Sequence, residues 1–337
     1  MDCMKRPGFP IAAMLMVLAA GAAPAEAISF FTPVYKKAAA ACADALAAGN
    51  YSAAIAAGQQ SVEARKDYFA SRQCLGKAYA GAGLPLKAIE ELRAALPLAD
   101  TPNQTMVVNS DLGQLLQKEK DYVKALEHYD TALAYAIVTQ DTKSRGLTLA
   151  NMASLFRERG EIEKALEYYR RAVDEGEAAA SGTALNNMGT IFFDKKDYPA
   201  ALDAYGRAAA LGESQKDDLT AGIALLNTGN VLLAKQDFPA AEAKLTEGLA
   251  KVKSAKNGYW EAAAREYFGR LHIALGETAK AKGSFEAARD GYRANHFEYE
   301  AQQMEMRLRE MDADAAKAGG GEAAPPGQNV TVEPLPR

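Results

Sequence analysis

Seven alanines recur in step along this chain, and that recurrence constrains its fold more than any other feature. Ala54, Ala88, Ala125, Ala165, Ala201, Ala241 and Ala281 are separated by 34, 37, 40, 36, 40 and 40 residues, a period that belongs to arrays of short helical units. Seven positions after each stands another small residue, namely Ser61, Ala95, Ala132, Ala172, Ala208, Gly248 and Ala288. Two helical turns separate the members of each pair, so both lie on one face of one helix. Four positions after the alanine comes a large side chain, Leu92, Tyr129, Tyr169, Tyr205, Leu245 or Phe285, with Gly58 the exception in the first copy. Each helix thus carries a gap and a knob side by side.

Twelve positions before each alanine the residue is again small: Cys42, Gly76, Gly113, Ala153, Gly189, Gly229 or Gly269. A preceding helix therefore brings its own notch, and the two axes can approach closely. Turn segments such as Gly49-Asn50-Tyr51, Lys120-Asp121-Tyr122, Gly160-Glu161-Ile162, Lys196-Asp197-Tyr198 and Gln236-Asp237-Phe238 separate the helices. Glycine ends a helix in the left-handed region, an aspartate caps the next one, and Pro199 and Pro239 fit its first turn, where a missing N–H costs nothing. No such hairpin buries its apolar face alone, so the expected fold is all-α, about seven hairpins stacked over residues 35–295. Phe297, Ala301, Met304, Leu308 and Met311 recur at helical spacing and predict a capping helix over 296–317. The Gly-Gly-Gly and Pro-Pro run of residues 318–337 reads as a disordered tail, a linker or a tether.

Stretches such as Leu75-Gly76-Lys77-Ala78-Tyr79 followed by Ala88 and Ala95, or Asn151-Met152-Ala153 followed by Gly160, Ala165, Tyr169 and Ala172, resemble the tetratricopeptide repeat. The longer spacing, with its excess in linkers such as Val138 to Ser144 and Leu211 to Asp218, is similar to the variety found in kinesin light chains and related adaptors. The resemblance implies a right-handed αα superhelix whose first helices line a concave groove for an extended peptide or a helix. It also implies that the residue fourteen positions before each alanine faces that groove. Here this is Asn151, Asn187 and Asn227 in three consecutive copies, Asp111 in the copy before and Tyr267 in the last. Asparagine amides both donate and accept, so a ladder of them suits a peptide backbone; the alternative is that they merely solvate a helix face. Asn186, Asn230, Ser154, Arg157, Thr190 and Arg270 are expected to share the groove floor. For Tyr267 both a ligand contact and a structural place beside the capping helix are open.

At the N-terminus, Lys5 and Arg6, the apolar run Ile11 to Ala20 and the small-x-small triplet Ala25-Glu26-Ala27 read as a secretory signal over 1–27. The apolar run is short of the about 20 residues a span needs, so no stable membrane span is expected after cleavage. Export to a periplasm, the expected location, would allow Cys42 and Cys74 to pair, although two buried thiols fit the helical context equally well. With 39 basic against 43 acidic residues the net charge is −4, which gives no reason to expect nucleic acid as a partner. No CxxC or His/Cys cluster, phosphate loop or nucleophile elbow is present, so neither a cofactor nor a metal is expected. The resulting expectation is a non-enzymatic scaffold or adaptor that binds a protein or peptide in its concave groove, with the assembly of an envelope complex as its setting. Two alternatives stand beside it: a homo-oligomer formed when Met304, Leu308 and Met311 enter a neighbour's groove, and an enzyme that uses the solenoid as a frame.

Overall fold

The computed structural model describes residues 32–319, and every regular element among them is helical. The α-helices are α1 (Val34–Ala47), α2 (Tyr51–Ala64), α3 (Phe69–Gly81), α4 (Pro85–Ala95), α5 (Pro102–Lys118), α6 (Tyr122–Val138), α7 (Thr142–Glu158), α8 (Ile162–Asp174), α9 (Ala178–Asp194), α10 (Tyr198–Gln215), α11 (Asp218–Ala234), α12 (Phe238–Ser254), α13 (Gly258–Ala274), α14 (Thr278–Ala294) and α15 (Glu298–Gly319). They are seven helix–turn–helix pairs and one final helix, as the repeat of small residues requires. The secretory signal inferred for 1–27 lies outside the described residues; of the tail read over 318–337, residues 318 and 319 instead continue α15, and the rest lies outside them too.

Contacts divide the chain into two units, Met1–His128 and Tyr129–Arg337. In the first, α1 packs on α2, α2 on α3 and α3 on α4, and a disulfide joins Cys42 of α1 to Cys74 of α3. Ser61, the one hydroxyl at the second small position, is fully buried and donates to the Tyr35 carbonyl at 2.5 Å, so Ser71 is left to donate to it at 2.6 Å. In the second unit the pairs α7/α8, α9/α10, α11/α12 and α13/α14 follow one another, with α7, α9, α11 and α13 touching in that order.

All seven repeat alanines are fully buried. The expected knob and notch meet: a methyl group added at Gly189, Gly229 or Gly269 would come within 2.6 Å of Tyr205, Leu245 or Phe285 respectively. In each case the large residue is the one four positions after the next alanine.

The turns differ from expectation in two respects: most of the linker read over Leu211 to Asp218 is helical, since α10 continues to Gln215 and α11 begins at Asp218, and the left-handed residue is often not glycine. Glycine takes the left-handed residue at Gly49, Gly83, Gly160, Gly176 and Gly276, but Lys120, Gln140, Lys196, Lys216, Gln236, Lys256 and His296 occupy it elsewhere, at φ between 53° and 65°. An L-residue there costs about 1–2 kcal/mol. Except at His296, which Phe297 follows, the next residue offsets much of this, because Asp121, Asp141, Asp197, Asp217, Asp237 and Asn257 each accept a hydrogen bond from a backbone N–H two or three positions on, at 3.0–3.3 Å, worth about 1 kcal/mol per cap.

Ala301, Met304, Leu308 and Met311 pack α15 onto Phe285, Ala288 and Tyr292 of α14, as a capping helix should. Phe297, expected on the same face, is instead 38% exposed in the turn before α15. It precedes the first helical residue, so the helical period does not govern where its ring points.

Candidate functional site

The tight notches along the second unit draw each first helix close to its partner and leave the opposite faces of α7, α9, α11 and α13 to line a cavity of about 520 Å³. From α7 come Ser154 and Arg157; from α9 Asn186, Asn187, Thr190 and Phe193; from α11 Ile223, Asn227 and Asn230; and from α13 Tyr259, Trp260 and Tyr267. Tyr205 reaches in from α10, and Phe297 and Glu300 close the far side from the start of α15.

The polar floor is held by short-range bonds. Tyr205 donates its hydroxyl to Thr190 Oγ1 at 3.0 Å, Thr190 donates to the Asn186 carbonyl one turn back at 3.1 Å, and the Asn186 amide donates to the Gly182 carbonyl at 3.2 Å. Tyr267, only 2% exposed, donates to Asn227 Oδ1 at 3.3 Å. Beneath it the buried Glu266 carboxylate accepts from Arg270 at 2.5 Å and from the Tyr292 hydroxyl at 3.1 Å. Burial raises the Tyr205, Tyr267 and Tyr292 hydroxyls well above their usual range, so all three stay protonated and able to donate.

Three polar atoms of this lining have no partner. Asn186 Oδ1, Asn230 Oδ1 and Arg157 Nη1 are buried without a hydrogen bond, and each such group costs on the order of 1–3 kcal/mol if left dry. Arg157 makes no ion pair within 4 Å among the described residues. The Asp194 carboxyl feels its charge but is raised chiefly by its own burial. Near Arg157, the Tyr169 hydroxyl lies close to Ser154 and Asn187 without a hydrogen bond to either, and burial raises it as well.

Of the residues singled out in the sequence, Asn187, Asn227, Asn186, Asn230, Ser154, Arg157, Thr190 and Tyr267 are brought together around the cavity. Asn151 is half-buried on α7 and does not line it. Arg270 lies outside the lining, turned onto Glu266 with its guanidinium 5.8 Å from the centre of the Tyr267 ring. Asp111 belongs to the first unit, where it pairs with Lys77 at 3.3 Å while burial raises its pKa.

Of the aromatic corner, Phe297 was expected only on the face of the capping helix, and Tyr259, Trp260 and the carboxylate of Glu300 were not singled out. A signal for part of it existed: Trp260, the single tryptophan, stands seven residues before Tyr267, on the same helix face. Ile223 and Phe193 likewise stand one turn from Asn227 and Thr190.

Residues 104–174 and 180–254, which span α5 to α12, match the tetratricopeptide repeat family model. Photosystem I assembly protein Ycf3 from Parasynechococcus marenigrum (strain WH8102) is 41% identical over 80 residues, 24% of this chain and 44% of that protein. Its counterpart from Synechococcus sp. (strain CC9902) is 40% identical over the same lengths. The chain therefore spans less than half the length of the curated relatives it matches. Among solved structures, the apo form of the quorum sensor NprR from B. thuringiensis superposes with a TM-score of 0.58 at 13% identity, over 82% of this chain and 87% of that one. A Rap protein complexed with competence and sporulation factor gives 0.52 at 13% identity, over 84% and 98%. At such identity the likeness is one of fold alone.

Proposed function

From a chain that carries tetratricopeptide repeats over 104–174 and 180–254, we propose an exported, non-enzymatic scaffold that holds a peptide segment of another protein in the cavity of its second unit. The observation that carries this reading is the set of buried, unpartnered atoms Asn186 Oδ1, Asn230 Oδ1 and Arg157 Nη1 around a cavity that Asn187 and Asn227 also line. A peptide backbone offers donors and acceptors at every residue and would satisfy such groups whatever its side chains. A role in assembling an envelope complex is part of the proposal, and the name of the relatives, an assembly protein, supports it.

The test is a comparison of partner capture from an envelope extract. Asn187→Ala with Asn227→Ala is expected to lower capture about tenfold or more, by removing two amides of about 0.5–1.5 kcal/mol each together with the Tyr267 anchor. Asn151→Ala, outside the cavity, is expected to change it less than twofold, the range of a surface substitution. Undiminished capture by the double variant would remove the cavity from consideration.

Export is supported by the Cys42–Cys74 bond, since such bonds persist outside the reducing cytoplasm. Intact-mass measurement of the protein recovered from the producing organism is expected to show a chain that begins at Ile28; a chain retaining residues 1–27 would count against export by this signal. Self-assembly through Met304, Leu308 and Met311 has less support, because those side chains already cover α14 of their own chain.

A further inference from the structure

Arg157 and Glu300 are the only charged side chains among the fifteen that line the cavity, and they stand at opposite ends of its row of helices. Arg157 lies on α7, where the row begins; Glu300 lies in the first turn of α15, beyond α13. Both lack an opposite charge within ion-pair distance among the described residues. Glu300 is half-buried and makes no hydrogen bond there. Glu298 shares the first turn of α15 and so serves the helix N-terminus equally well, yet it does not line the cavity.

Beside Glu300 the walls are aromatic. Tyr259 meets Phe297 edge to face with centroids 4.7 Å apart and meets Trp260 in the same manner at 5.5 Å. Burial, followed by the charge of Glu300, pushes the Tyr259 hydroxyl up to about 12 and keeps that ring neutral. Ring faces attract cations, more strongly where water is excluded, and a carboxylate at the rim adds a charge of the right sign.

Resting on the peptide-groove reading above, we infer that the cavity binds its peptide in one direction, with a cationic group of the ligand in the corner of Tyr259, Trp260, Phe297 and Glu300 and an anionic group at Arg157. The asparagines between grip the backbone and carry no preference for direction. The two charges supply it, because reversing the peptide sets like charges together at both ends. The cation is an ammonium or guanidinium, from a lysine or arginine side chain or from a free amino terminus.

The test uses the full exported chain and a synthetic random octapeptide mixture, prepared with free or acetylated amino ends and free or amidated carboxyl ends, with captured peptides sequenced by mass spectrometry. The wild-type protein is expected to enrich peptides bearing a basic and an acidic group in one order along the chain, and equal enrichment of both orders would overturn the direction. Glu300→Lys should lower the basic enrichment about fivefold, Arg157→Glu should lower the acidic enrichment similarly, and Glu300→Gln, which keeps the size of the side chain, should act in the same direction as Glu300→Lys by less. Loss of enrichment on acetylation assigns the cation to the amino terminus, and its survival assigns it to a side chain. Unchanged composition with Glu300→Lys and Glu300→Gln, while the Asn187→Ala, Asn227→Ala variant loses capture, would overturn the directional inference and leave the groove. No capture by the wild type, or capture undiminished by the double asparagine variant, would remove the groove and this inference together.

Discussion

Two glycines six residues apart on α10 are expected to respond in opposite directions when each is replaced by alanine. At Gly212 the added methyl group would stand 2.5 Å from the Ala221 backbone nitrogen and 2.9 Å from its Cα. Those atoms belong to the backbone of α11, so no change of rotamer relieves the clash and the helix itself must move. At Gly206 nothing lies within 4 Å of the new methyl group, and the intrinsic gain of alanine over glycine inside a helix, about 0.8–1 kcal/mol, should appear almost undiminished. Gly212→Ala gains the same propensity but must overpack a helix contact at about 1–3 kcal/mol or more, so a net loss is expected, and Gly212→Val should extend it. Denaturant unfolding at constant m-value measures both. Equal stabilisation by the two substitutions would mean that α10 and α11 do not approach as closely as the backbone places them.

The same contrast shows what the sequence makes legible. A small residue that recurs in register marks a place where two helices must meet, and Ala201, Ala208, Gly189 and Gly229 are all buried where that logic puts them. Gly206 falls outside the register and faces solvent. Backbone register also reached part of the cavity, because Asn187 and Asn227 occupy equivalent places on α9 and α11 and both line it. The same register did not distinguish Asn151, whose equivalent place on α7 falls outside the lining. The ion pair of Arg270 was not legible for a different reason. Its partner, Glu266, is one helical turn away and 3% exposed, and the ion pair holds the guanidinium off the cavity lining. Phe297 and Glu300 could not be placed at the cavity because they enter from the turn after α14 and from the start of α15, outside the repeat whose period guided the reading.

Reduction of the Cys42–Cys74 bond is expected to cost the first unit about 3–4 kcal/mol, the scale for a bridge that closes a loop across a sequence separation of 32. The reason lies in the one copy that breaks the repeat. Where every later second helix has a large knob four residues after its alanine, the first has Gly58, and a methyl group there would meet Leu75 at 3.1 Å and the Cys42 sulfur at 3.3 Å. The bridge and Leu75 therefore occupy the space that a tyrosine, leucine or phenylalanine fills elsewhere. α1 and α2 bury mostly small side chains, namely Ala38, Ala39, Cys42, Ala54, Gly58 and Ser61, and so contribute less apolar area than the pairs that follow. A covalent tie from α1 to α3 compensates for that deficit, since a hairpin of a repeat array is held only by its neighbours. With dithiothreitol, hydrogen exchange is expected to accelerate by about two orders of magnitude or more through α1 and α2, the factor that 3 kcal/mol implies where exchange follows unfolding. Cys42→Ala with Cys74→Ala should behave as the reduced protein does and should no longer respond to dithiothreitol. Exchange in α1 and α2 unaffected by reduction would show that small-residue packing alone holds the first hairpin.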